Sequence, residues 1–201
     1  MSRVGEIHRP AAVPPADPGR SAGRLGVLTL DVVEIRDADL PGDANAVGRL
    51  WLDYLNWGND GLETSFGFRL PVQEFVERDL ASIGKFLPPE GRLLLAFEDG
   101  AAIGTAALQN IGTTTAEIKR MWVAPSCRRG GIGGTLLDRL ICVAEAAGYR
   151  SVRLDSPLFM TAAHGLYRSR GFLPIAPYAE SEIPDRYKSH WVFMERLLPQ
   201  A

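Results

Sequence analysis

The chain has 201 residues, 46% of them hydrophobic and 23% charged, with 22 basic side chains against 24 acidic ones. That length holds one domain with a real core, and the near balance of charge recommends neither nucleic acid nor an anionic membrane as a partner. No apolar run reaches the roughly 20 residues needed to cross a bilayer, the opening residues lack the apolar stretch of a signal peptide, and Cys127 and Cys142 are too few for a disulfide framework, so a cytoplasmic protein is expected.

Residues 1–25 carry Pro10, Pro14, Pro15 and Pro18 without any hydrophobic period and read as a flexible tail, which leaves 26–201 as a single domain. Val27 to Ile35 has strand character. Val47, Leu50, Trp51, Tyr54 and Leu55 then mark one face of an amphipathic helix that is expected to stop near Gly58. Pro71 suits the first turn of a second helix over Val72 to Ile83, and Pro88 and Pro89 bar its continuation. Arg92 to Phe97 and Ala102 to Leu108 flank Asp99-Gly100, a strong hairpin signal.

Ala116 to Val123 reads as the next strand, and Ile132, Leu136, Leu140 and Ala144 lie on one face of a helix closed by Gly148. Ser151 to Leu154 is a further strand, a short helix runs from about Met160 to Arg170 before Gly171, and Trp191 to Met194 resembles a buried strand. Hairpin-linked strands followed by one strand-helix-strand unit predict an α/β (α+β) fold: a mixed, mostly antiparallel sheet of about six or seven strands flanked by helices. There is no internal repeat.

The most informative segment joins the Ala116–Val123 strand to the following helix. Arg128-Arg129-Gly130-Gly131-Ile132-Gly133-Gly134 has four glycines in five positions, so successive backbone N–H groups can converge on an anion at the positive end of the helix. A P-loop is excluded because no lysine precedes Thr135, and the dinucleotide fingerprint fails because Leu136 stands where its third glycine belongs. On the glycines alone, a plain flexible turn is an equal reading.

The flanks supply more. Arg128, Gly131 and Gly133 form Arg-x-x-Gly-x-Gly before a helix, Glu117-Ile118 lies upstream on the preceding strand, and Leu166-Tyr167 with Gly171-Phe172 forms Leu-Tyr-x-x-x-Gly-Phe. In these three motifs and their order the chain resembles the GNAT N-acetyltransferase superfamily, with decreasing specificity from about Leu30 to Leu198. The resemblance implies the GNAT acyl-CoA N-acyltransferase fold and an enzyme that uses acetyl-CoA as its acyl donor without a metal.

It also implies roles. The N–H groups of Arg129, Gly130, Gly131, Ile132, Gly133 and Gly134 would hold the coenzyme pyrophosphate, with the Thr135 hydroxyl as a further donor and Arg128 adding charge; a solvated loop arginine is the competing reading. Met121, Trp122 and Val123 would pair with the pantetheine amides, and an N–H near Trp122 or Val123 would polarise the thioester carbonyl. Glu117 would accept the ammonium proton, against the alternative of an edge-strand glutamate facing solvent. Tyr167 would protonate the departing thiolate, against the alternative of a packing tyrosine.

One position departs from the pattern. Many members carry an asparagine where this chain has Met160, and Ser156 would compensate by hydroxyl bonding, although a Ser-Pro turn is the plainer reading. The aromatic set Trp51, Tyr54, Trp57, Phe66 and Phe68 reads as core more than as pocket wall. The loop from Tyr178 to His190 carries Glu180, Glu182 and Asp185, whose charge would attract an ammonium group; a solvated loop is equally compatible. His164 and His190 lack metal-ligand spacing. The expected acceptor is a small-molecule or amino-acid-like amine, with a protein N-terminus or lysine, or a non-catalytic acyl-CoA-binding module, as alternatives. A homodimer is compatible with the pattern.

Overall fold

The computed structural model describes residues 33–199. Their strands are β1 (Glu34–Asp37), β2 (Arg92–Glu98), β3 (Ala101–Asn110), β4 (Thr115–Val123), β5 (Ser151–Pro157), β6 (Leu173–Ile175) and β7 (Trp191–Leu197). The α-helices are α1 (Ala44–Phe66), α2 (Val72–Ala81), α3 (Ile132–Ala146) and α4 (Thr161–Ser169), with a 3₁₀ turn at Ile83–Phe86. The strands form one mixed sheet in the order β1-β2-β3-β4-β5-β7-β6, antiparallel throughout except between β4 and β5.

Asp99 (φ 50°) and Gly100 (φ 78°) are both left-handed, the backbone of a two-residue turn whose twist matches the strands it joins. Side-chain alternation then divides the hairpin between two cores. Leu94, Ala96, Ala106 and Leu108 face α3, where Leu136, Leu137, Leu140 and Ala144 are fully buried. Leu93, Leu95 and Ala107 face the other way, against Val47, Leu50 and Trp51 of α1 and Val72 and Val76 of α2. Truncating one of these leucines to alanine costs about 2–5 kcal/mol, so each layer is firmly held to the sheet.

Three differences from the sequence reading have physical causes. Helix α1 does not stop near Gly58 but continues to Phe66; of its internal glycines Gly61 serves close approach to the segment before α4, and Gly58 has room for ordinary contact with it. A Cβ at Gly61 would lie 2.3 Å from the Phe159 ring, and one at Gly58 would meet the Met160 methyl at 3.8 Å. That contact outweighs the roughly 1 kcal/mol a glycine costs inside a helix. Strand β5 runs past Leu154 to Pro157, carried by its antiparallel pairing with β7. The three-residue β6 has no sequence signal, since Pro174 reads as a breaker and is tolerated because β6 is a sheet edge. Of the first predicted strand only its end is described, within Glu34–Asp37; residues 27–32 lie outside the described part.

The feature that positions the site is the short parallel pairing of β4 with β5. It comprises Thr115 with Ser151, Ala116 with Val152 and Glu117 with Arg153, and then ends although both strands go on. On its other side β4 carries a bulge: the register with β3 shifts between Thr105 and Ala107, and Arg120 there is left-handed at φ 52°. A bulge bends its strand and re-aims the side chains beside it. The sheet therefore opens immediately after Glu117.

Candidate active site

Two cavities occupy that opening. A groove of about 710 Å³ is bordered by Met121, Trp122 and Val123, by the loop and first turn of α3, and by Tyr167 and its neighbours on α4. A smaller pocket of about 90 Å³ lies between β4, β5, α1, α2 and the segment at Glu182–Ile183. Tyr54 and Met160 line both, so the groove and the pocket meet at those two side chains.

On the groove side, Arg129 (φ 78°) and Gly131 (φ 79°) are left-handed, and α3 begins at Ile132. The Thr135 N–H donates to the Gly131 carbonyl at 3.0 Å, closing the first turn. The N–H groups of Ile132, Gly133 and Gly134 consequently have no carbonyl within the helix and form a concave set of donors at its positive end. Of the loop residues singled out in sequence, Arg128, Arg129, Gly131, Ile132, Gly133 and Gly134 border the groove, and Gly130 and Thr135 do not. The Thr135 hydroxyl donates back to the Gly131 carbonyl at 3.3 Å.

Strand β4 presents its backbone to the same groove. The Ala124 N–H donates to Ile103 of β3 at 2.8 Å, and alternation turns the Trp122 N–H the same way. Met121 and Val123 therefore aim their N–H and C=O groups into the groove, while the Trp122 amide faces β3. Arg128 lies across this edge rather than over the glycine turn. Its Nε donates to the Val123 carbonyl at 3.0 Å, and its guanidinium sits 4.4 Å from the Trp122 ring centre and 4.8 Å from that of Trp57. Ser156 is buried, with its hydroxyl 3.4 Å from the Met160 sulfur, and does not border the groove.

Glu117 stands at the apex of the opening and lines the smaller pocket, with no exposed surface. Tyr178 donates its hydroxyl to Oε1 at 2.6 Å, Gln109 donates to Oε2 at 2.7 Å, and the Lys119 ammonium is 3.6 Å away. Burial pushes the Glu117 carboxyl above its ordinary range, against the pull of Lys119. Across the pocket Asp155 accepts a bond from the Ser181 hydroxyl at 3.0 Å and is likewise pushed up by burial. Burial alone would lower the Lys119 ammonium, but Glu117, Asp155 and Glu182 together outweigh it and raise it. Tyr167 is buried at the groove wall, its phenol pushed up by burial with Tyr54 and Asp155 adding to the effect.

The chain matches the acetyltransferase (GNAT) family over residues 54–172. An uncharacterized N-acetyltransferase of Schizosaccharomyces pombe is 32% identical over 156 residues, covering 76% of this chain and 90% of that protein. The chain belongs to the GNAT acetyltransferase family. It is an acetyl-CoA-dependent acetyltransferase. Its fold is that of a GNAT-family acetyltransferase from Staphylococcus aureus, with a TM-score of 0.67, 19% identity, and coverage of 84% of this chain and 100% of that one. A PaiA N-acetyltransferase from Thermoplasma acidophilum, solved in complex with coenzyme A, superposes with a TM-score of 0.65 at 18% identity, over 83% of this chain and 99% of that one.

The groove of this GNAT chain fits such a donor: unpaired helix N-terminal amides for a diphosphate, and an unpaired strand edge for the pantetheine amides. Gly131→Val is expected to weaken acetyl-CoA binding at least about tenfold, because a β-branched residue at positive φ costs about 1–3 kcal/mol or flattens the turn. Titration calorimetry reads this directly, and unchanged affinity would remove Gly131 from the cradle. Among the described residues, no three His, Cys, Asp or Glu side chains are grouped to hold a metal ion, and no helix is long and apolar enough to cross a membrane.

Sequence reading missed Lys119, Asp155 and Arg78 as pocket residues. The only local trace was Lys119-Arg120 interrupting an apolar strand. Of the loop acids, Glu182 faces cations of the protein itself, with the Nζ of Lys119 at 2.9 Å, Nη2 of Arg78 at 3.0 Å and Nζ of Lys85 at 3.4 Å, while Asp185 is exposed. The aromatic set divides. Trp51 is core, Tyr54 and Trp57 wall the groove, and Phe66 and Phe68 pack with Tyr187 and His190.

Proposed function

We propose that the enzyme moves an acetyl group from acetyl-CoA directly to the primary amine of a small molecule, within one ternary complex. The observation that carries this is the small pocket lined by Glu117 and Asp155, which joins the donor groove only at Tyr54 and Met160. An acceptor entering it meets carboxylates at the point where a thioester lying along β4 would end. A protein segment needs an open channel along its backbone, whereas this pocket is only about 90 Å³ and has Glu182 and Ile183 in its lining.

In this reading the donors from Arg129 to Gly134 hold the diphosphate, and Arg128 leaves the Val123 carbonyl when the pantetheine arm pairs with Met121–Val123. The Val123 N–H stabilises the oxyanion of the tetrahedral intermediate. Glu117 takes the proton from the acceptor ammonium, directly or through one water, and Tyr167 gives a proton to the leaving thiolate.

The experiment is thiol release from acetyl-CoA with a broad panel of small amines beside peptides that carry a free N-terminus or a lysine. Small amines are expected to accelerate release well above hydrolysis, and acceleration by peptides alone would overturn the small-molecule assignment.

A further inference from the structure

Glu182 is placed oddly for a loop carboxylate. It belongs to the irregular stretch between β6 and β7, yet three cations from three separate elements converge on it: Arg78 of α2, Lys85 of the 3₁₀ turn and Lys119 of β4. Of these elements β4 is part of the sheet and α2 and the 3₁₀ turn pack against it, while residues 176–184 have no ladder bonds. That stretch is held by side chains instead, the Tyr178 hydroxyl donating to Glu117 at 2.6 Å and the Ser181 hydroxyl to Asp155 at 3.0 Å, with Glu182 just beyond them. Glu182 also lines the pocket that holds Glu117 and Asp155.

We infer that Glu182 is a stand-in for a carboxylate on the acceptor, so that the substrate is an amine bearing a carboxylate close by, of the α-amino acid type. The inference rests on the small-molecule reading above and narrows it. Three arguments support it. The first is charge: the Lys119 side chain is only 9% exposed, and moving Glu182 away without replacement removes its nearest partner from a buried ammonium. An incoming carboxylate conserves the balance and a neutral group does not. The second is span, since the single Lys119 ammonium lies 2.9 Å from Glu182 and 3.6 Å from Glu117. A carboxylate in the place of Glu182 puts an α-amino group beside Glu117 and Asp155. The third is room, because about 90 Å³ is well below the roughly 300–1,000 Å³ of an ordinary ligand pocket. Displacing Glu182 and Ile183 enlarges it, and its walls of Leu62, Leu70, Phe75 and Trp191 suit an apolar side chain.

The test compares leucine, leucinamide and 3-methylbutylamine as acceptors, together with any amine the broader panel reveals and its carboxylate-free counterpart. Carboxylate-bearing acceptors are expected to have at least a tenfold higher kcat/KM. Arg78→Gln, at a half-exposed position where folding is safe, is expected to raise KM for the acids several-fold and leave that for the amides unchanged. Amides accepted as well as acids, or an equal loss on both in Arg78→Gln, would overturn the inference while leaving small-molecule acetylation standing. A readout independent of turnover uses 4-methylpentanoate, a carboxylate that cannot be acetylated at nitrogen. In calorimetry with coenzyme A present, Glu182→Gln should bind it at least threefold more tightly than the parent protein and Arg78→Gln more weakly. Equal binding by all three proteins rejects the stand-in whatever the acceptor assays give, and failure of every amine alongside the expected carboxylate binding would instead reject the proposed transfer.

Discussion

Glu117→Gln is expected to lower kcat/KM by about 10²–10⁴-fold, the range that a positioned proton acceptor contributes. The substitution keeps the shape of the site. Its amide oxygen still accepts from Tyr178 or Gln109, and Lys119 retains Glu182 at 2.9 Å. What it removes is the capacity to take a proton. Because burial raises the Glu117 carboxyl, the parent enzyme should gain activity as pH rises through that group's ionisation, a limb that the glutamine variant loses. Linkage gives a second readout of opposite sign. A carboxyl raised in the folded state binds more protons there than in the unfolded chain between its unfolded and folded pKa values. Stability therefore falls as pH rises through that window, and the penalty persists at neutral pH. Glu117→Gln removes it, so the melting temperature at pH about 7 should hold or rise while turnover collapses. The rival proton acceptor is Asp155. If Glu117→Gln stays within a few-fold of the parent and Asp155→Asn collapses, the base is on β5.

The contrast between these two carboxylates shows what was legible in the sequence. Glu117 could be found because it sits a fixed distance before the glycine turn on the same strand, and the turn itself is written in local residues: Arg128, Gly131 and Gly133 ahead of an amphipathic helix. The Asp99-Gly100 hairpin is legible for the same reason, since two adjacent left-handed residues need no distant partner. Asp155 was hidden because Ser151 to Leu154 reads as a complete strand, and only pairing with β7 extends it. The cationic seat around Glu182 was hidden more deeply. Its members lie at positions 78, 85, 119 and 182, and no periodicity connects groups that meet only through the packing of α2 and a loop onto β4. Gly58 misled in the opposite direction. As a helix breaker it marks a stop, but packing of the helix on Met160 at Gly58 and on Phe159 at Gly61 overrides propensity.

Tyr167→Phe is the second large effect expected, a fall in kcat of about 100-fold with little change in the KM for acetyl-CoA. The ring is buried in the main core and packs against Phe172 with centroids 6.0 Å apart, contacts that phenylalanine reproduces, so the fold should survive with a nearly unchanged melting temperature. The hydroxyl is the only group lost. Burial pushes this phenol upward, which at first sight makes it a poor acid. The objection fails because the leaving thiolate forms in the same groove, and desolvation that penalises a phenolate also penalises a thiolate. Both pKa values rise together, the difference between them stays small, and Tyr167 remains protonated and ready to donate over the whole working range. A tyrosine free in water would offer no better match. Separate measurement of kcat and KM by thiol release decides the matter, because a tyrosine that only packs would leave both unchanged when phenylalanine takes its place, whereas an acid shows its loss in kcat alone. A rate within twofold of the parent would mean that the thiolate leaves unassisted or is protonated by solvent.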